Sequence, residues 1–161
     1  MQRQIPTTMM YRITLMALGL LWMLGLQAQK VELINGKYYK DGMLYTGTNT
    51  ELHASGTKKM VQSIVNGKED GLTTLFFENG NQQEQRSFRE GLKHGEWITW
   101  NEAGSKIAEA WYKDDKKDGT WKIWDENGQL RYEMHYTDGQ KTGKWFMWDA
   151  DGKVTMERNY E

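Results

Sequence analysis

Glycine recurs every 24 residues along this chain, at Gly47, Gly71, Gly95, Gly119 and Gly143. A second set keeps the same step nine residues later, at Gly56, Gly80, Gly104, Gly128 and Gly152. Two registers of one period over five copies mark a repeat protein, in which each unit buries its apolar surface against the next. Glycine at such short intervals leaves no room for helices of ordinary length. A helix is the competing reading, because paired tryptophans lie three residues apart within a copy.

With the first glycine as position 0, the remaining columns become visible. Position 2 holds Asn49, Thr73, Trp97, Trp121 and Trp145. Position 5 holds Leu52, Phe76, Trp100, Trp124 and Trp148, and position 17 holds Ile64, Phe88, Tyr112, Tyr136 and Tyr160. Around position 9, segments such as Asp125-Glu126-Asn127-Gly128 suit a type I turn followed by glycine at positive φ, the three-residue hairpin loop. The flanks read as strands, with Leu130, Tyr132, Met134 and Tyr136 alternating with Arg131, Glu133 and His135. The expected fold is all-β: an elongated twisted antiparallel sheet of repeated 24-residue β-hairpins. At about 4.8 Å per strand, ten strands would span roughly 45 Å.

A three-residue loop pairs position 6 with 10, 5 with 11 and 3 with 13. Odd positions would then share one face, collecting Trp100, Trp124, Trp148, Tyr112, Tyr132, Tyr136, Met156 and Tyr160 as the main packed stripe. Even positions would carry Trp97, Trp121, Trp145, Trp111, Ile123 and Met147 together with Glu109, Glu133 and Glu157. Residues 47–161 form the five-copy domain on this reading. Residues 29–46 read as a capping hairpin, with Asn35-Gly36 turning between 31–34 and 37–40.

Residues 1–28 differ in character. Arg12 precedes an apolar run from Ile13 to Leu26, and Leu26-Gln27-Ala28 fits a cleavage site. This is the pattern of a signal peptide, with an uncleaved anchor as the alternative; the run is short for a span of about 20 residues. The expected location is therefore exported: periplasm, cell envelope or outside the cell, after cleavage near Ala28. The chain has no cysteine, so stability must come from packing and hydrogen bonds. Losing Arg3 and Arg12 with the leader leaves 19 basic against 22 acidic residues, a net charge of −3. That balance argues against nucleic acid as a partner and against attraction to anionic lipid.

Aligned in this way, the copies resemble MORN repeats of the variant type. The carrying motif runs Tyr136-Thr137-Asp138-Gly139-Gln140-Lys141-Thr142-Gly143-Lys144-Trp145-Phe146-Met147-Trp148. It recurs from Tyr112 to Trp124 and from Phe88 to Trp100, and the likeness covers about residues 38–161. Bacterial proteins similar to these are grouped as YwqK-type antitoxin-like repeats. The resemblance implies a hairpin array serving as scaffold or binding surface; eukaryotic MORN proteins are linked to membrane-associated scaffolding. The first copy departs by lacking both tryptophans. Asp115 replaces a glycine at position 20, which predicts a wider loop.

Candidate chemistry is sparse. His53, His94 and His135 occupy different repeat positions, and no pair has metal-ligand spacing. The column Glu109, Glu133 and Glu157 has a spacing suited to paired carboxylates, but it repeats with the scaffold and sits among exposed charges. Lys116-Lys117 with its flanking aspartates reads as a solvated turn. The expectation is a noncatalytic protein with no cofactor and no metal. Trp97, Trp121, Trp145 and Trp111 form the candidate binding surface. The expected partner is another protein, including an exported toxin in an antitoxin or immunity relation; a glycan or a membrane surface are the alternatives.

Overall fold

The computed structural model describes residues 30–161. The leader expected at 1–28 lies outside the described residues. Every regular element among them is a strand: β1 Glu32–Ile34, β2 Lys37–Lys40, β3 Met43–Leu44, β4 Gly47–Leu52, β5 Lys58–Val65, β6 Lys68–Phe76 and β7 Gln82–Arg89. The later copies supply β8 Leu92–Trp100, β9 Lys106–Lys113, β10 Lys116–Lys117, β11 Gly119–Trp124, β12 Leu130–Thr137, β13 Gln140–Trp148 and β14 Val154–Tyr160. From β4 to β14, successive strands pair antiparallel in chain order, with β10 beside β9. The first three strands form a small sheet of their own, so the segment expected as one hairpin has a third strand, joined by the positive-φ pair Asp41-Gly42.

Two kinds of turn alternate. At the first, Phe77 N–H donates to Asn81 O at 2.9 Å and Gly80 N–H donates to Phe77 O at 3.0 Å, with Gly80 at φ 88°. This is the expected three-residue loop, and the 6-to-10 and 5-to-11 pairings follow from it. At the second, both central residues have positive φ, as in Asn66-Gly67 (49°, 74°) and Asp138-Gly139 (49°, 88°), the tight type I′ geometry whose twist matches the strands. Asp115 does not widen its loop. It takes φ 65° in the same two-residue turn, with Lys113 still paired to Lys116. Aspartate tolerates this region better than most side chains, and its carboxylate accepts Lys93 N–H at 2.9 Å.

The face assignment changes, and the cause is a β-bulge. In the β6–β7 hairpin Phe76 pairs with Gln82, but Leu75 pairs with Glu84, leaving Gln83 unpaired. The same skip occurs at Lys59, Ile107, Arg131 and Thr155. One extra residue reverses the alternation beyond it. Position 3 therefore faces 14 rather than 13, and position 0 faces 17. Even positions of the rising strand share a face with odd positions of the falling strand. The expected odd stripe is thus split: Tyr112, Tyr132, Tyr136, Met156 and Tyr160 lie on one face, and Trp100, Trp124 and Trp148 on the other. Trp97, Trp121 and Trp145 join the tyrosines.

A second irregularity explains the glycine at position 0. Arg86 pairs with Trp97 and Phe88 with Lys93, so Ser87 alone faces the span His94–Glu96. Gly95 sits in this bulge at φ 94°, where an added Cβ would stand 3.2 Å from Ser87 Cβ. Gly71 and Gly119 meet Ser63 and Trp111 at 3.3 Å in the same way. Close backbone approach and positive φ together select glycine.

Little of this sheet is enclosed. Ile64, Tyr136 and Trp145 are the buried large apolar residues among those described. Among the described residues no second layer packs on this sheet, so cohesion runs along it, from each copy to its neighbours.

Candidate binding face

The cohesive element is a ladder of seven rings on one face. Phe88, Trp97, Tyr112, Trp121, Tyr136, Trp145 and Tyr160 follow one another with centroids 4.8–5.5 Å apart. Their planes are tilted by 54–65°, the arrangement that sets ring edges toward ring faces. Each such contact stabilises by about 0.5–1.5 kcal/mol beyond its buried area. The indole N–H groups are also satisfied within the sheet. Trp97, Trp121 and Trp145 donate to the carbonyls of Ser87, Trp111 and His135, each at 3.0 Å.

A lysine two residues before the position-0 glycine completes each ladder unit. Lys93 Nζ lies 4.9 Å from the Trp97 centroid and 5.1 Å from Tyr112. Lys117 lies 4.3 Å from Trp121 and 4.8 Å from Tyr136, and Lys141 lies 4.6 Å from Trp145 and 5.2 Å from Tyr160. These are cation–π distances. Copies lacking the tryptophan also lack the lysine: Glu69 stands before Gly71 and accepts a hydrogen bond from Thr73 at 3.0 Å. Covariation of positions 22 and 2 within one chain was the sequence signal for this pairing. Burial pushes the Tyr112 hydroxyl pKa above its ordinary value, with the neighbouring Tyr136 adding to the rise.

Of the four candidate tryptophans, three share the ladder. Trp111 does not join them: it is 43% exposed on the opposite face, because position 16 pairs with position 1 after the bulge. It shares that face with the glutamate column. Glu109 pairs with Lys106 at 2.8 Å, Glu133 with Lys122 at 3.8 Å and Glu157 with Lys144 at 2.7 Å. Each carboxylate thus has a nearby cation, and the column reads as a solvated ionic face. The histidines are dispersed as well. His53 Nε2 bonds Phe76 O at 2.9 Å, His94 Nδ1 bonds Asp114 at 3.2 Å, and His135 Nδ1 bonds Thr120 Oγ1 at 3.1 Å. Among the described residues no three His, Asp or Glu side chains converge as a metal site would need.

One interruption of the ladder face makes a hollow. Position 13 holds Met60, Glu84, Ala108, Tyr132 and Met156, and position 15 holds Gln62, Arg86, Ala110, Met134 and Arg158. Only the third copy is small at both. Over Ala108 and Ala110 lies a cavity of about 290 Å³ bounded by Trp97, Tyr112, Trp121 and Ile123. Its rim carries Arg86, whose Nε donates to Glu84 at 2.6 Å and whose guanidinium lies 5.4 Å from the Trp97 centroid. Sequence reasoning missed these residues; the signal was the paired alanines against four larger pairs. A second hollow of about 390 Å³ lies by Leu130, Trp148 and Gly152 near the loop end. It lacks a charged rim.

No curated protein matches the chain at a significant level. The MORN repeat variant family model matches residues 117–138 and 141–161, two stretches that each carry a full lysine, tryptophan and tyrosine set.

Proposed function

We propose that the chain is a noncatalytic, exported binding protein whose ladder face docks another protein. The observation that carries this reading is the half-buried row of rings with cations set over them, bordered by the hollow at Ala108 and Ala110. Tryptophan, tyrosine and arginine are the side chains that dominate binding energy at protein interfaces. Five of the seven rings, Phe88, Trp97, Tyr112, Trp121 and Tyr160, keep partial exposure along several copies. The noncatalytic reading is supported by the lysine partners of Glu109, Glu133 and Glu157 and by the dispersal of the histidines. Export rests on the leader-like run in residues 13–26. A toxin as partner would be a narrower form of this reading. The glycan alternative is weakened because lysines and neighbouring rings already occupy the ladder tryptophans.

The test is affinity capture from the native envelope extract with three baits: wild type, Lys93→Glu on the ladder face and Glu133→Lys on the opposite face. Lys93→Glu is expected to lose the captured proteins and Glu133→Lys to retain them, with both variants folded by circular dichroism. Capture that survives Lys93→Glu, or that disappears with Glu133→Lys alone, would overturn the assignment.

A further inference from the structure

We propose that the hollow over Ala108 and Ala110 is a socket for one methionine- or tyrosine-sized side chain from an extended, acidic segment of a partner protein. The proposal rests on the reading of the ladder face as a protein-docking surface and adds the chemistry of its anchor.

The repeat itself supplies the template. Each copy presents two side chains, at positions 13 and 15, to the same strip of the ladder face. In the next copy these are Tyr132 and Met134; in the third they shrink to Ala108 and Ala110. The backbone does not collapse to compensate, because strand spacing is fixed by ladder hydrogen bonds. Ala108 still pairs with Thr99 and Ala110 with Trp97, in the register used by the other copies. Volume that side chains fill elsewhere is therefore left open here. At about 290 Å³ it falls at the lower limit of pockets for small ligands, enough for one or two side chains and too small for a dinucleotide.

Its lining fixes the class of occupant. Trp97, Tyr112, Trp121 and Ile123 form its apolar walls over the two alanines, and Thr99, Glu109 and Lys122 complete the lining. An apolar or aromatic group would gain contact with the three rings, Ile123 and the alanine methyls, and a thioether would gain favourable sulfur–ring contacts. The surroundings fix the charge beside it. Lys93 lies over the wall rings Trp97 and Tyr112, and Lys117 lies over Trp121. Arg86 stands at the rim, already matched by Glu84. The two lysines have ring partners and no carboxylate within salt-bridge distance among the described residues. A carboxylate next to the anchor residue would meet them. An extended segment crossing the strands fits a shallow strip of this kind better than a folded knob.

The decisive variant copies the neighbouring repeat. The double substitution Ala108→Tyr, Ala110→Met installs the residues of the fourth copy and fills the socket from within. A phage-displayed library of random peptides is selected on the natively processed protein, and the enriched peptides are then measured on the variant. Wild type is expected to enrich a single large apolar residue, methionine or tyrosine foremost, beside aspartate or glutamate. The variant is expected to bind those peptides about tenfold or more weakly, the scale of one anchor side chain, with a thermal midpoint no lower than wild type.

Peptides that bind both proteins equally, or a selection without consensus, would overturn the socket. So would a glycan array in which saccharides bind wild type and lose the variant, since the occupant would then be a carbohydrate. Should the double variant misfold, N-acetyl-methionine amide and p-cresol titrated into wild type replace it. Shifts confined to the Ala108 and Ala110 methyls and the Trp97 and Trp121 indoles support the socket, and shifts spread along the ladder reject it. A failure here with Lys93→Glu still abolishing capture removes the socket and leaves protein docking in place. Capture insensitive to Lys93→Glu removes the wider reading.

Discussion

In β4, β5 and β6 the positions that carry rings further along hold Asn49, Ile64 and Thr73, with Gln62 beside them at position 15 of the same face. Gln62 and Thr73 are buried to 1% and 2% exposure, although both are polar. They are joined by short side-chain bonds: Asn49 Nδ2 donates to Gln62 Oε1 at 3.1 Å, and Thr73 Oγ1 to Glu69 at 3.0 Å. From Phe88 on β7 to Tyr160 on β14 the same strip is the ring ladder with its lysines. Turns, bulges and register are alike in the two regions. The frame is therefore set by the glycines and tight turns, while the strip on its surface can be polar or aromatic. The difference is in completeness. The polar strip leaves Gln62 Nε2 buried without a hydrogen-bond partner, a cost of about 1–3 kcal/mol, whereas the ladder indoles all find carbonyls.

The largest expected effect separates the two strips. Trp121→Ala removes ring contacts to Tyr112 and Tyr136 and the seat of Lys117. It should destabilise by about 3 kcal/mol, the lower end for tryptophan truncation because this ring is only half-buried. Thr73→Ala removes one hydrogen bond at the matching position and should cost about 1 kcal/mol. Urea denaturation gives the totals. Hydrogen exchange gives the place: Trp121→Ala should loosen β9, β11 and β12 and leave β4 and β5 protected, because each copy touches only its neighbours. Equal losses from the two variants would show that the ring strip is no stronger than the polar one.

A smaller effect tests the common frame. Gly71 lies in the polar region and Gly95 in the ladder, at φ 99° and 94°, each facing a serine Cβ at 3.3 and 3.2 Å. Alanine at either should cost about 2 kcal/mol, from the left-handed backbone and the close contact together. Gly80→Ala, in a loop with nothing within 4 Å, should cost about 1 kcal/mol from φ alone. The prediction is equality of the first two. A clear excess at Gly95 would mean that the ring strip, and not the frame, sets the tolerance.

How far the sequence revealed this molecule depends on which kind of residue marks each feature. The loops were legible because Gly56 through Gly152 and the Asn-Gly or Asp-Gly pairs declare positive φ. The ring columns were legible because Trp and Tyr repeat at fixed positions. The bulge was not: its unpaired residues are Lys59, Gln83, Ile107, Arg131 and Thr155, which share no property. A bulge with ordinary dihedrals needs no special side chain, so it left no mark, yet it reversed the faces of one strand of each hairpin relative to the other. Trp111 was assigned to the wrong face for this reason alone. The hollow was missed for a different reason. Alanine looks unremarkable in a strand until its column is compared across copies and the walls around it are known.

The smallest effect concerns charge at the tight turns. In the polar region Asn66 N–H donates to the neutral Thr46 hydroxyl at 2.9 Å. In the ladder region the matching turn residue, Asp114, is bonded by Arg89 at 2.7 Å and by His94 at 3.2 Å. The Arg89 hydrogen bond, with its charge and His94 contributing, holds the Asp114 carboxyl below its ordinary value of 3.8. The unfolded chain then binds this proton more readily than the folded one. Stability from the pair is fully present above pH 3.8 and is lost as pH falls through the lower folded value. Asp114→Asn should therefore flatten the acid limb of the thermal midpoint measured from pH 6 down to pH 2, while changing the midpoint at pH 6 little, because the pair is exposed and screened. Asn66→Asp, placed beside Thr46 with no matching arginine, should produce no such gain. Parallel acid limbs for wild type and Asp114→Asn would show that the turns of the two regions are joined by hydrogen bonds alone and that charge adds nothing to the ladder end.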